Sequence, residues 1–215
     1  MTDGNRVFFT LRALNSSEMK VLDGTEGGTF PFWSPDSRHI AFFQKGRLVR
    51  MPIAGGPTSV IVENALGNAG SWGRNGTILF GVWGADLFSV PAEGGPIKAV
   101  IRASQVDRPS APHFLPDGNK FLYTVFSEDQ VNTGIYLSSL DAPGKRTKLL
   151  PVFSTPAYAE PNGRGMILYS VGEKLMRSSF DASSGRLTSE PVAVETQVSH
   201  YLFNGKSDFS ASFGG

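Results

Sequence analysis

Trp33-Ser34-Pro35-Asp36-Ser37-Arg38-His39-Ile40-Ala41-Phe42 decides the reading of this chain, because the same phrase returns three more times. It recurs as Trp72-Gly73-Arg74-Asn75-Gly76-Thr77-Ile78-Leu79-Phe80, as Phe114-Leu115-Pro116-Asp117-Gly118-Asn119-Lys120-Phe121-Leu122-Tyr123, and as Tyr158-Ala159-Glu160-Pro161-Asn162-Gly163-Arg164-Gly165-Met166-Ile167-Leu168-Tyr169. The leading aromatics Trp33, Trp72, Phe114 and Tyr158 stand 39, 42 and 44 residues apart. Each phrase is an aromatic, a turn carrying Asp36, Asn75, Asp117 or Asn162, and a short apolar run. Asp, Asn and above all Gly accept the positive φ that tight turns demand.

The second half of the unit repeats as well. Leu48-Val49-Arg50-Met51-Pro52 leads to Gly55-Gly56-Pro57, and Leu87-Phe88-Ser89-Val90-Pro91 leads to Gly94-Gly95-Pro96. Looser copies run through Ile135-Tyr136-Leu137 and Leu175-Met176-Arg177. The units close on Val60-Ile61-Val62, Ala99-Val100-Ile101, Leu149-Leu150 and Val192-Ala193-Val194. The apolar runs are too short for helices and lack clean period-two alternation, as expected of strands covered on both faces. Each unit therefore reads as a four-stranded antiparallel meander that must stack on its neighbours to bury its faces. The predicted fold is all-β, a β-propeller of such blades. A β-sandwich also has short strands and many turns, but it has no need of one phrase four times at near-constant spacing.

The bulk composition agrees. The chain has 215 residues, 25 Gly and 14 Pro, with 40% hydrophobic residues and 16 Phe, which is too apolar for a disordered chain. A net charge of +1 provides no general attraction for nucleic acid or an anionic membrane. The absence of Cys excludes disulfides, thiolate metal sites and thiol nucleophiles. No apolar stretch approaches the roughly 20 residues of a membrane-spanning helix, and no signal peptide is visible at 1–10. Counted in repeats, the expected division is a partial blade at 1–28, blades at about 29–66, 67–104, 108–152 and 153–198, and a partial blade at 199–215. Val7–Leu14 and Met19–Leu22 read as the last two strands of one unit, and Ser207–Phe213 as the first strand of another. The two fragments could pair as a composite blade, closing a five-bladed ring short by a strand. The favoured reading is a piece of a longer propeller, with an edge strand open to association.

At Pro31–Phe43 the chain resembles TolB-type, WD-repeat-like propellers. The order of its phrases more narrowly resembles the C-terminal propeller of bacterial, notably acidobacterial, membrane serine/threonine protein kinases. Besides the Trp33 phrase, the matching stretches are Gly24-Thr25-Glu26-Gly27, Gly70–Phe80, Phe114–Gly118, Ser179-Phe180-Asp181 and Glu190–Val194. The resemblance implies an extracytoplasmic or periplasmic propeller that senses or binds a partner. The kinase's own signatures, a Gly-rich loop, His-Arg-Asp and Asp-Phe-Gly, do not occur in this sequence.

Candidate chemistry is sparse. Asp36, Asn75, Asp117 and Asn162 are oxygen donors, but each belongs to a different blade, so they read as turn residues rather than converging cation ligands. Together with Trp33, Trp72, Phe114 and Tyr158 they are taken as structural repeat positions, the aromatics as blade packing. His39, His113 and His200 show no zinc spacing. His113 stands out at the start of an inner strand, near Asp107 and Arg108 in sequence, and Ser127–Gly134, with Glu128 and Asp129, is the least repeat-like loop, where function tends to be added. Arg108, His113, Glu128 and Asp129 are therefore the candidate ligand-binding residues. No nucleophile elbow, cofactor motif or metal motif is present. Lys145-Arg146-Thr147-Lys148, the one dense basic cluster, reads as an edge-protecting charge rather than a nucleic-acid site. The expected function is a non-enzymatic binding or scaffold module for a protein or peptide partner. A hydrolase or lyase with its site in the central channel is the alternative.

Overall fold

The computed structural model describes residues 2–3, 6–195, 197–201, 206–207 and 209–211. Four antiparallel sheets follow one another along the chain, each built as predicted from consecutive strands. The first blade runs Thr29–Trp33, His39–Gln44, Arg47–Pro52 and Ser59–Val62 from its innermost to its outermost strand. The second runs Gly67–Trp72, Thr77–Val82, Leu87–Pro91 and Lys98–Ile101. The third is Asp107–Phe114, Lys120–Ser127, Gly134–Ser139 and Thr147–Leu150. The fourth is Ala157–Ala159, Met166–Val171, Lys174–Asp181 and Val192–Glu195, with Arg186–Leu187 paired to the end of its third strand. This is a β-propeller architecture. Before the first blade, Thr10–Arg12 pairs antiparallel with Met19–Val21, and Thr2–Asp3 with Arg6–Val7. Of the strand expected over Ser207–Phe213, residues 208, 212 and 213 lie outside the described residues; His200–Tyr201 pairs with Lys206–Ser207.

The second strands explain the missing alternation. Four successive residues, Ile40–Phe43 and Ile78–Gly81, are buried in the first and second blades. Alternate side chains of one strand enter different cores: Ile78 and Phe80 pack with Phe43 and Leu48 of the first blade, whereas Leu79 packs with Phe114 and Phe121 of the third. A strand with a core on each face has no polar side to show.

The turn phrase is built by its side chains. Asp36 Oδ1 accepts the Arg38 amide at 3.0 Å, Asn75 Oδ1 accepts that of Thr77 at 2.9 Å, and Asp117 Oδ1 accepts that of Asn119 at 2.9 Å. The following residue takes the left-handed conformation in each, with φ 58° at Ser37, 76° at Gly76 and 69° at Gly118. The fourth copy departs from this plan. Its turn is longer, Asn162 and Gly163 are both left-handed at φ 52° and 73°, and no such side-chain bond forms.

Blades are joined by their leading aromatics. Trp72 meets His39 of the first blade with ring centroids 6.2 Å apart. Phe114 lies against Gly73, and its amide donates to Ser71 Oγ at 2.9 Å. Tyr158 packs with Leu115 of the third blade. Trp33 differs from the expectation of packing: it is 48% exposed. The leading sheet meets this blade through Phe9, Leu11 and Leu22, which pack with Ile40, Phe42 and Val49 in a cluster that leaves Trp33 out. Close approach is also written into glycines. A Cβ on Gly70 would stand 2.1 Å from the Phe32 ring, so this inner strand can approach the first blade only without a side chain there.

Candidate functional site

Arg108 is the second residue of the third blade's innermost strand, paired across the sheet with Phe126. Its guanidinium sits over the Phe126 ring, 5.9 Å from the centroid, and donates to Glu128 Oε1 at 3.0 Å. The Phe126 ring meets that of Phe153, from the loop leading into the fourth blade, at 5.1 Å. The structure thus brings Arg108 and Glu128 together, with Asp129 beside them. Asp129 caps the short 3-10 turn Gln130–Asn132 by accepting the Val131 amide at 3.2 Å. Thr133 Oγ1 accepts the Ser127 amide, Tyr136 Oη donates to the Asn132 carbonyl at 2.7 Å, and Lys148 Nζ donates to the Val131 carbonyl at 2.6 Å. The acidic insertion is pinned at four points, with the Val131 side chain turned outward.

Behind it, on the face toward the second blade, Asp107 accepts Ser127 Oγ at 2.7 Å and faces Arg146 at 3.6 Å. Arg146 also lies over the Tyr136 ring at 5.4 Å. Arg146 and Lys148 of the dense basic cluster are accordingly spent on contacts within the blade. Arg146 stands next to the Tyr123 hydroxyl without the geometry of a full hydrogen bond. Burial pushes the Tyr123 phenol up to about 12, with Arg146 opposing it.

His113 does not join this group. It lies five residues further along the same strand, roughly 16 Å at about 3.3 Å per residue. A bulge between Ser110 and His113, with Ala111 at φ 48°, shifts the register so that His113 opposes Leu122. Its imidazole hydrogen-bonds to the main chain of Tyr158, and burial lowers its pKa to about 4. It is a neutral inter-blade residue at neutral pH.

The rim that carries Arg108 and Glu128 has a feature that sequence reading did not anticipate. The loops leading into each inner strand and the hairpins between second and third strands lie at the same end of the blades. On them stand Leu66, Trp83, Val106 and Val131, with Val171 at the end of the fourth blade's second strand, each at least 40% exposed. The loop of Leu66 is tied to the first blade's hairpin, and the loops of Trp83, Val106 and Val131 are tied in series. The Ala65 amide donates to the Gly46 carbonyl at 2.6 Å, Ala103 to Asp86 Oδ1 at 2.8 Å, and Glu128 to the Val106 carbonyl at 3.1 Å. The available signal was one large apolar residue in each of four loops and one at a strand end, which only the strand directions place at one end.

At the opposite end, the fourth blade holds a cleft of about 530 Å³ lined by Glu160, Arg164, Asp181, Ser183 and Thr188. It forms where two loops outgrow their repeat, Glu160–Gly165 and Asp181–Val192. The Tyr158 phenol is raised by burial and by Glu160, to which it hydrogen-bonds. Asp181 is held well below the usual carboxylate range by the hydroxyls of Ser183 and Ser184, which donate to it at 2.6 and 2.7 Å. A carboxylate so satisfied is a poor proton shuttle. Among the described residues, no three His, Asp or Glu side chains are grouped to hold a metal ion, and no helix is long and apolar enough to cross a membrane.

No family model matches the sequence, and no curated protein does. Solved structures do match. TolB from Acinetobacter baumannii is similar over 91% of this chain and 51% of its own, at a TM-score of 0.61 and 18% identity. Regucalcin, a calcium-binding protein from Agrobacterium tumefaciens strain C58, is similar over 77% of this chain and 58% of its own, at 0.55 and 20%. An oligogalacturonate lyase in complex with manganese is similar over 92% and 62%, at 0.55 and 14%. The chain therefore spans between half and two thirds of each. The likeness is one of fold: it bears out the β-propeller expected from the sequence, with TolB among the similar structures. The narrower resemblance to kinase-linked propellers rests on the sequence phrases alone. The same fold serves binding proteins and enzymes, so it does not choose between them.

Proposed function

We propose that the chain is a non-enzymatic propeller module that binds a protein or peptide partner on the rim formed by its lead-in loops and second hairpins. The observation that carries this is the set of Leu66, Trp83, Val106, Val131 and Val171 exposed at one end of the blades, with the loops of Trp83, Val106 and Val131 held together by hydrogen bonds. Exposed apolar side chains on a pre-ordered polar frame are what a docking surface offers. The Arg108–Glu128 pair over Phe126 would set orientation more than affinity. Asp129 contributes through the shape of its turn. His113 is left out of the surface. By the family resemblance, such a module would act outside the cytoplasm as the sensing or scaffolding part of a larger system.

Selection of displayed random peptides on the purified chain tests the reading. The expected result is saturable binders lost on Trp83→Asp or Val131→Asp and retained on Glu160→Gln. Binders indifferent to both rim substitutions would overturn it. So would turnover of a glycoside or uronide that Glu160→Gln abolishes, the outcome that favours the enzyme alternative.

A further inference from the structure

Two Asn-Gly pairs occupy the same place in the repeat, Asn75-Gly76 and Asn162-Gly163, and the fold treats them differently. The Asn75 amide is held at both ends: Nδ2 donates to the Gly118 carbonyl of the next blade at 2.7 Å, and Oδ1 accepts the Thr77 amide at 2.9 Å. Asn162 is exposed, and among the described residues its side-chain amide makes no hydrogen bond. The glycine on its far side is equally open in both pairs, with nothing within 4 Å of where a Cβ would be. The Gly163 amide is also the more loosely held, at 3.3 Å from the Glu160 carbonyl against 3.0 Å between Gly76 and Gly73.

We infer that Asn162 is a site of spontaneous deamidation in the folded protein, whereas Asn75 is protected. The Gly163 main-chain nitrogen attacks the Asn162 side-chain carbonyl carbon. The Cγ–Nδ2 bond breaks, and the amide leaves as ammonia with the proton from the attacking nitrogen. Water then opens the resulting succinimide at either carbonyl, giving aspartate or its β-linked isomer. Nothing is oxidised, and water is the one co-reactant. Glycine is required next in sequence because a side chain there would shield the nitrogen.

The product has a defined place. Aspartate at 162 would match Asp36 and Asp117 of the other repeats and would add a carboxylate two residues from Arg164, at the mouth of the fourth-blade cleft. The β-linked isomer lengthens the main chain by one methylene inside a turn that joins the first two strands of that blade.

Ageing the purified chain in mildly alkaline buffer, with and without denaturant, and mapping peptides by mass tests the inference. Two hydrogen bonds must open at Asn75 before it can react, so in the native chain Asn162 should convert about tenfold faster or more. In denaturant the two rates should converge, and Asn162→Gln should remove the fast conversion. Equal native rates, or a native Asn162 that stays intact while the denatured chain converts, would overturn it. Asn204-Gly205 lies outside the described residues and is monitored separately.

Discussion

Acidification should loosen the seam between the third and fourth blades through one side chain. Burial lowers the His113 pKa to about 4 in the folded chain, against about 6.5 when unfolded. Between those values the unfolded chain binds more protons, so stability is complete above the unfolded pKa and is lost as pH falls toward the folded one. The loss from this group is about 2 kcal/mol between about pH 7 and pH 5. For a chain of this size that lowers the melting temperature by about 4–8 °C. The assay is a series of thermal melts at constant ionic strength, with His113→Gln as the reference. Glutamine keeps a donor for the Tyr158 main chain but cannot titrate, so the variant starts less stable and stays level across the window. The difference between the two curves isolates His113 from carboxylates that titrate lower. If wild type and variant decline in parallel, His113 is not held neutral by burial, and the seam is wetter than the structure has it.

Two further perturbations read packing and polar satisfaction. Gly70→Ala forces a methyl into the Phe32 ring and should cost about 1–3 kcal/mol, with partial recovery in the Phe32→Leu double variant; an additive double variant would disprove the contact. Thr25 is fully buried, where its hydroxyl donates to the Leu22 carbonyl at 2.6 Å and accepts the Phe9 amide at 2.9 Å. Thr25→Val should cost about 1–3 kcal/mol and speed hydrogen exchange at the Phe9 amide, and an unchanged exchange rate would show that the hydroxyl does not anchor the leading sheet.

The blade plan was legible because turns and leading aromatics are local and repeat. Asp36, Asn75 and Asp117 do in the structure what an aspartate or asparagine does in any short turn. Asn162 looked like a fourth copy and is not, because the loop around it gained residues and no longer lets the side chain reach its own main chain. Arg108 and Glu128 are both candidates in the sequence, but their pairing comes from the register that sets Arg108 opposite Phe126. His113 could not be placed, since the bulge at Ser110–His113 reverses which way each later side chain points. Sequence has no period by which to announce a bulge. The exposed rim was hidden for another reason: its residues come from four loops and a strand end far apart in the chain, and strand direction alone unites them.

The leading aromatics make the chain directional. Trp72, Phe114 and Tyr158 each reach back to the blade before, so at the three seams between the four blades the leading aromatic comes from the later blade. Such a row behaves as a one-dimensional lattice with nearest-neighbour couplings, in which a defect is felt by adjoining units and fades beyond them. Removing the Phe114 ring should uncouple the second blade from the third and leave the Trp72 seam intact. The chain would then melt as two blocks instead of one.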